Sequence, residues 1–388
     1  MAQALTLNMT QQRSVWQTEQ ALLDPYRAEY QTRLALYRAR QAYYFGTAYQ
    51  DIPDLRKSLK LYAGVRQIFA PLARAVRVDV AKVPGDWRYA DSVPADVRAV
   101  IDAVRLLSDH RREYAKFVLY GAVYGEYGVV VSADPAPRVH AVSPDRIIEG
   151  ETETGEPFAL VIAPSVATRN GRVERATLYT PSIVRRYENG EVVEETRNDL
   201  GIIPAFRGVY LTGLGDYGEC AFSHAQEVLD RVNDLASQTL DVIQSQADPI
   251  LAVSGVPKVA FEKGDNVLVL PPSEAKAYPL SPDLPIDQAV ALLDRLIGEF
   301  KQLLPQLSLD LIQQRNDLAF DTVVVLLNEF VDYVISVRAN VDSAVVRAER
   351  MAAQIGAARG LFPAVDVSLH ALDARRNVFT LLNNGETE

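Results

Sequence analysis

The residues most suggestive of chemistry are the glycines of the segment Gly213–Gly218, whose sequence is GLGDYG. Their spacing matches a dinucleotide-binding fingerprint, in which glycines let the backbone approach a pyrophosphate at the start of a helix. The context argues against that chemistry. A Rossmann unit needs a second parallel strand with an acidic residue about twenty residues on, whereas the helix predicted here continues through Asp234 and Asp241. We interpret 213–218 as a glycine-rich link and keep a nucleotide-dependent enzyme as the least favoured alternative.

Other catalytic and metal-binding motifs are missing from the sequence. It contains no Gly-x-x-x-x-Gly-Lys-Ser/Thr phosphate loop, no His-Glu-x-x-His and no Cys-x-x-Cys. The four histidines, His110, His140, His224 and His370, are scattered singly, which disfavours a metal centre. The single cysteine, Cys220, excludes an intramolecular disulfide framework. We predict a protein with no cofactor, no metal and no catalytic activity of its own.

Length and composition indicate a large globular protein. The chain has 388 residues, 48% hydrophobic and 23% charged, which predicts two or three domains. No window approaches the ~18 consecutive apolar residues of a membrane span, and the first twenty residues are polar. We expect a soluble, intracellular protein with no membrane contact. The net charge of −10 disfavours a broad basic grip on nucleic acid, but it permits DNA to slide past.

A long amphipathic helix is predicted to begin at Ser223, where Gln226 completes a capping box. Apolar residues recur at steps of three and four until Asp248-Pro249 ends the helix. The polar side is acidic, with four acidic residues against one basic residue and a net charge of −3; these residues are Glu227, Asp230, Asp234 and Asp241, and Arg231. A hydrated helix face is the simplest explanation of that charge.

A small β lobe and a second helix follow. The β-type runs are Ile250–Val253, Lys258–Phe261 and Val267–Leu270, each bounded by turn residues. Asp283 and Pro285 suit a helix start, and Pro305 ends that helix. The order helix, β lobe, helix suggests a projecting docking device.

Flanking elements complete an α+β fold class. Helices are predicted over 24–46, 53–72 and 95–120, with His110-Arg111-Arg112 on a hydrated face, and Val76–Val80 alternates like a strand. Between 127 and 211, short apolar runs separated by Asn170-Gly171 and Asn189-Gly190 predict antiparallel hairpins. After Pro305, the segment 307–317 is polar and helix-compatible, a long apolar helix covers 320–346, and an Ala/Arg-rich helix continues to Ala358.

Taken in this order, the residues resemble the portal proteins of tailed double-stranded DNA bacteriophages of the long-tailed siphophage type. The stretches that carry the resemblance are Tyr43–Gly46 followed by 53–80, the turn Val142–Ile147, Ala176–Pro181, Leu200–Pro204 and, after the glycine-rich link, Gln226–Ser237. The similarity of order covers most of the chain.

The resemblance implies a subunit with an α/β wing, a two-helix stem, a small β clip and a short helical crown. The domains would be 1–218 for the wing, 219–249 for the first stem helix, 250–282 for the clip, 283–305 for the return stem helix, 306–339 for a tunnel loop and long wing helix, and 340–388 for the crown. Family members often carry a longer crown, which leaves the role of this one open.

The resemblance also implies a function. Portal subunits form a ring, expected to be a dodecamer, at one capsid vertex of the virion, where the ring is a channel for DNA packaging and ejection. Implied partners are double-stranded DNA bound without sequence specificity, the terminase large subunit, the head-tail connector, and capsid and scaffolding proteins. Assembly would take place in the host bacterial cytoplasm. The alternative is another phage structural or adaptor protein with a helical stalk and a β head.

Site residues follow from the same correspondence of parts. Gln313, Gln314, Arg315 and Asn316 would line the tunnel, although an ordinary polar helix start explains them nearly as well. Val267, Val269 and Lys263 would dock partners at the clip. Glu227, Asp234 and Asp241 would face the channel from the stem, because an acidic wall does not hold phosphates.

Overall fold

The computed structural model describes residues 16–48, 69–85, 87–168, 171–247, 250–254, 267–270, 276–280, 286–307 and 320–373. Its α-helices are α1 (Gln20–Leu23), α2 (Arg27–Phe45), α3 (Leu72–Lys82), α4 (Ala95–Ser108), α5 (His110–Tyr124), α6 (Gln226–Ala247), α7 (Ile286–Gln302) and α8 (Phe320–Ala358). Its strands are β1 (Glu126–Ser132), β2 (Arg138–Val142), β3 (Ile147–Glu151), β4 (Pro157–Ile162), β5 (Val166–Thr168), β6 (Gly171–Val173), β7 (Arg175–Tyr179), β8 (Ile183–Glu188), β9 (Glu191–Arg197), β10 (Ala205–Val209), β11 (Ile250–Ser254), β12 (Val267–Leu270) and β13 (Lys276–Leu280). The combination of α-helices and β-strands confirms the predicted α+β class.

The chain divides into two compact units. The first comprises Met1–Tyr44, Leu72–Ser223 and Pro305–Glu388, and the second comprises Phe45–Pro71 and His224–Leu304. The second unit therefore interrupts the first in the sequence.

The strands of the first unit pair only antiparallel among the described residues. One sheet has the order β10-β1-β2, a second has the order β3-β4-β7-β8-β9, and β5 pairs with β6. At the β8–β9 turn, Asn189 and Gly190 have φ angles of 50° and 87°, as a tight hairpin requires. The hairpin-rich β region predicted between 127 and 211 is thus confirmed.

One hydrophobic core of the first unit lies where the N-terminal helices cover the five-stranded sheet. Alternate strand residues and one stripe of the helices point into it: Trp16, Leu23, Tyr30, Leu34, Ile148, Phe158, Leu160, Ile162, Ala176, Leu178 and Tyr187. The spacing of Tyr30, Leu34 and Tyr37 buries one face of α2, as its pattern predicts.

The strand predicted over Val76–Val80 is wrong, because these residues lie in α3. Period-two alternation of valine is also compatible with a helix when another stripe is buried. Here Leu72, Ala75, Val76 and Asp79 recur at helical spacing and all four are buried. The helical stripe places an aspartate inward, which an alternating strand would have placed at the surface.

Two helix boundaries also differ from prediction. The helix expected over 95–120 is two helices, α4 and α5, because Asp109 adopts a left-handed conformation with φ of 50°. The helices expected before and after residue 346 are one helix of 39 residues, α8, which ends before Gly360 at φ of 71°. The helix predicted over 53–72 lies mostly outside the described residues.

In the second unit, α6 and α7 pack against each other. The backbone N–H of Phe69 donates to Asn233 Oδ1 at 2.6 Å, and the Phe69 ring meets the Phe300 ring edge-on with centroids 6.0 Å apart. Because Asn233 lies early in α6 and Phe300 late in α7, the two helices run in opposite directions. The capping box expected from Ser223 is replaced by hydrogen bonds to the backbone of Cys220, at 2.9 Å from its N–H and 3.2 Å to its carbonyl oxygen.

A small mixed sheet of the order β12-β11-β13 lies between these helices in the sequence. β11 pairs parallel with β12 and antiparallel with β13, so that Val253 is opposite both Val269 and Ala277. The predicted runs at 250–253 and 267–270 are confirmed as strands, whereas the run at 258–261 lies outside the described residues.

Candidate functional site

The acidic face predicted on α6 is exposed. Glu227 and Asp234 lie two helical turns apart, and both side chains face solvent in this chain. Glu227 pairs with Arg231 at 2.5 Å and Asp234 accepts from Gln238 at 2.7 Å. The side-chain placement of Asp241 lies outside what the structure describes. The arrangement is a hydrated acidic surface, which repels phosphate more readily than it binds it.

The small sheet contains two of the residues expected to dock partners. Val267 and Val269 both belong to β12, where they pair with Leu251 and Val253. Residues two apart in a strand share one face of the sheet. Lys263 lies outside the described residues, and so do Gln313, Gln314, Arg315 and Asn316, whose tunnel role stays a prediction.

The glycine-rich link has a structural explanation at its C-terminal end. A Cβ atom on Gly218 would overlap the carbonyl oxygen of Gly125, and one on Gly125 would overlap the carbonyl oxygen of Gly218. Arg40 holds the two backbone segments together, because its Nη1 donates to the carbonyl oxygens of Tyr124 at 2.5 Å and Gly218 at 2.8 Å. Glycine at 218 is therefore required by packing.

The surroundings of the link do not form a dinucleotide-binding unit. β10, which precedes the link, pairs antiparallel with β1, and β11, which follows α6, belongs to a different sheet. Leu214 is fully exposed, and a Cβ on Gly215 would meet nothing within 4 Å. The described strands thus lack the parallel β-α-β pair that holds a pyrophosphate.

A buried carboxylate that the sequence did not reveal gathers two of the scattered histidines. Glu349 accepts from Arg105 at 2.7 and 3.1 Å, contacts His370 Nε2 at 2.6 Å, and lies 3.3 Å from His110 Nδ1. Burial raises the pKa of Glu349, but the His370 hydrogen bond and the Arg105 charge outweigh it, so that the pKa is lowered overall. His110 is thus part of this cluster and not of the hydrated face predicted for it.

The Glu349 cluster is a neutralised ion pair that secures the chain after α8. Arg350 Nη2 donates to the carbonyl oxygens of Ser368 at 2.8 Å and His370 at 2.6 Å, which fastens the same segment a second time. No group of three or more His, Cys, Asp or Glu within the described ranges is arranged to hold a metal ion.

A second buried carboxylate, Asp79, lies in the first unit, and no cation of the described ranges pairs with it. Asp79 Oδ2 accepts from Tyr333 at 2.8 Å and from Gln306 Nε2 at 3.1 Å, and Tyr333 lies 3.2 Å from the hydroxyl of Tyr210. Burial raises the pKa of Asp79 to about 7, although the hydrogen bonds from Tyr333, Gln306 and Tyr210 oppose that rise. The helical stripe of α3 is the one signal in the sequence that could have found this residue.

No family model and no curated protein matches this chain. Among solved structures, a chain in the neck of an empty gene transfer agent (GTA) particle aligns with 12% identity and a TM-score of 0.32, over 58% of this chain and 63% of that chain. A chain of the native GTA virion has 11% identity and a TM-score of 0.31, over 63% and 68%. A chain in the neck of the native GTA particle has 11% identity and a TM-score of 0.31, over 58% and 63%.

These alignments span less than two thirds of the length of the two neck chains. Because the TM-scores are low, we infer neither fold nor function from them. Within the described residues, no helix combines the length and the apolar character needed to cross a bilayer.

Proposed function

We propose that this chain is the portal subunit of a tailed double-stranded DNA bacteriophage. The observation that carries the proposal is the order of parts. A helix, a small sheet and an antiparallel return helix follow one another between Ser223 and Pro305, and together with Phe45–Pro71 they belong to a compact unit separate from the mixed α+β body. The portal resemblance of the sequence implies this succession of wing, stem, clip and stem.

In this function the subunits form a closed ring, a dodecamer, at one capsid vertex of the virion. Double-stranded DNA passes through the centre during packaging and ejection, without sequence-specific contacts. The hydrated carboxylates of Glu227 and Asp234 suit a channel wall, because each phosphate neutralised by Lys or Arg adds affinity through counterion release. A wall with few such contacts lets the duplex move.

The small sheet at 250–280 is the proposed docking site for the terminase large subunit and, after packaging, for the head-tail connector. Capsid and scaffolding proteins surround the first unit during assembly in the bacterial cytoplasm. The protein has no catalytic activity in this scheme.

Negative-stain electron microscopy of the purified protein, with native mass measurement of the same sample, tests the proposal. Rings with a central hole wide enough for a duplex, and a mass that is a whole multiple of 42.9 kDa, are the expected result. Compact monomers or dimers at high concentration would contradict it and would favour an adaptor protein with a helical stalk and a β head.

A further inference from the structure

Four separate parts of the first unit converge on the Asp79 carboxyl group. Asp79 belongs to α3, Tyr210 follows β10, Gln306 lies in the segment 305–307, and Tyr333 belongs to α8. Asp79, Tyr210 and Gln306 are each completely buried. Contacts between such distant parts of the chain make this carboxyl group a fastening point of the unit.

The phenol of Tyr210 is held in place from several sides. The backbone N–H of Tyr210 donates to the carbonyl oxygen of Gly125 at 2.8 Å, and the carbonyl oxygen of Tyr210 accepts from Asn340 at 3.1 Å. A Cβ on Gly121 would overlap the Tyr210 ring, so a glycine leaves room for the ring against α5. The Tyr210 ring is therefore held in position, with its hydroxyl 3.2 Å from the hydroxyl of Tyr333.

Two buried oxygens at this point have no hydrogen-bond partner among the described residues. They are Asp79 Oδ1 and Gln306 Oε1, the remaining oxygens of two groups already joined by the bond from Gln306 Nε2 to Asp79 Oδ2. Asp79 Oδ1 is an acceptor when the carboxyl group is ionised, Gln306 Oε1 is always one, and a buried acceptor without a donor destabilises the fold.

We propose that Asp79 is protonated on Oδ1 in the folded protein and that this proton completes a two-point hydrogen bond with Gln306. Gln306 Nε2 then donates to Oδ2 while the acid O–H at Oδ1 donates to Gln306 Oε1. One proton satisfies both unpartnered oxygens. When the proton leaves to solvent, the carboxylate keeps the bonds from Gln306 Nε2 and Tyr333 but turns a lone pair of Oδ1 toward the amide oxygen of Gln306.

The charges around Asp79 agree with a neutral carboxyl group. Among the described residues, the titratable groups that face it are the phenols of Tyr210 and Tyr333, both uncharged, and burial is the main cause that raises their pKa values. The nearest basic group along α8, Arg338, donates to the carbonyl oxygens of Val83 at 2.7 Å and Lys82 at 3.2 Å. The described residues provide no cation in contact with the Asp79 carboxyl group.

In this arrangement, the proton on Asp79 helps to hold the segment 305–307 against α3 and α8. Because burial raises the pKa of Asp79 from 3.8 to about 7, the folded state holds its proton more tightly than the unfolded state. The stability contributed by the protonated Asp79 carboxyl group is complete below its ordinary pKa of 3.8. This contribution falls as pH rises and is lost above about pH 7. The inference does not depend on the proposed portal function.

Infrared spectroscopy of the full chain tests the protonation state directly. We expect the wild type to show a protonated-carboxyl C=O band that Asp79→Asn lacks and that disappears with a midpoint near pH 7. The matched control is Asp332→Asn, which removes an exposed carboxyl group beside Tyr333 and should keep the band. Identical wild-type and Asp79→Asn spectra across this pH range would overturn the proposal.

Asp79→Asn should fold, because an asparagine amide can donate to Gln306 Oε1 and accept from Nε2 at every pH. If it does not fold, Tyr333→Phe provides an independent reading. The Tyr333 bond lowers the pKa of Asp79, so its removal should move the band's midpoint to higher pH. An unmoved midpoint would show that the band belongs to another carboxyl group and would reject the assignment.

Hydrogen exchange followed by mass spectrometry measures how strongly the backbone amides of residues 306–307 are protected. After correction for the intrinsic pH dependence of exchange, wild-type protection at 306–307 should fall with the same midpoint, whereas Asp79→Asn should keep it constant. Wild-type protection that is independent of pH would show that the proton does not hold this segment.

Discussion

At the residue scale, buried carboxyl groups show how partners decide the charge of a side chain. Glu349 and Asp79 are both almost completely buried, and burial raises the pKa of each. Arg105 and His370 reverse that effect for Glu349, whereas the described donors to Asp79, Tyr333 and Gln306, are uncharged. Equal burial thus leads to an ionised group in one cluster and a neutral group in the other.

The same scale separates two glycines of one motif. Gly218→Ala should lower the free energy of unfolding by about 1–3 kcal/mol, because the new methyl group must displace the backbone at Gly125. Gly215→Ala is the matched control and should be nearly neutral, since a Cβ there has open space. Urea unfolding of the two variants measures the difference.

Equal effects of the two substitutions on stability would contradict this account of the link. Loss of dinucleotide binding in Gly215→Ala would instead support the nucleotide-dependent alternative. If the intact protein binds no dinucleotide, that alternative is excluded.

At the element scale, α8 is stabilised by its buried apolar face, and the α6–α7 pair by hydrogen bonding to a segment distant in the sequence. α8 has 39 residues and spans about 58 Å, and its buried face includes Phe330, Val334, Val337 and Val341. In the second unit, Asn233 joins α6 to the chain before α3, with Nδ2 donating to the carbonyl oxygen of Phe69 at 3.2 Å. Both helices therefore depend on contacts with segments distant in the sequence.

The small sheet provides the element-scale prediction. Val267→Asp or Val269→Asp should prevent docking of the terminase or the connector, or formation of the ring, because aspartate is disfavoured in strands and both residues lie in β12, opposite Leu251 and Val253 of β11. Packaging and tail joining in a phage that carries the variant measure the effect. Val192→Asp, at a half-exposed position of β9, is the control and should leave both steps intact. Normal packaging and tail joining with Val267→Asp and Val269→Asp would refute this placement of the docking site.

At the scale of the whole molecule, the proposed portal function predicts that affinity for DNA depends on where the negative charge lies. The double substitution Glu227→Lys and Asp234→Lys should raise affinity for double-stranded DNA and make it more dependent on salt. The slope of log K against log salt should steepen by about 0.9 for each additional phosphate that the new lysines neutralise. Filter binding at several salt concentrations measures both quantities.

A control with the same change in net charge is available on the β3–β4 turn. Glu153→Lys together with Glu156→Lys alters two exposed carboxylates of the first unit. If both pairs of substitutions change DNA affinity equally, net charge alone explains the effect and α6 does not face the channel.

Patterns that repeat over neighbouring residues were readable from the sequence. The periods of α6, α7 and α8, the Asn189-Gly190 turn and the strands of 127–211 each depend on local spacing, and each is present in the fold. The spacing of Glu227 and Asp234 likewise predicted a shared polar face, which the structure exposes. Local geometry determines these features because the interacting residues lie within a few positions of one another.

Only the tertiary structure decided which polar residues are buried and what they contact. Asp79 meets Gln306 and Tyr333, and Glu349 meets Arg105 and His370, across separations that no periodicity records. The same contacts explain why 76–80 is helical and why His110 is not a surface residue. A polar side chain can be buried when distant parts of the chain supply its hydrogen bonds, and those partners become adjacent only after folding.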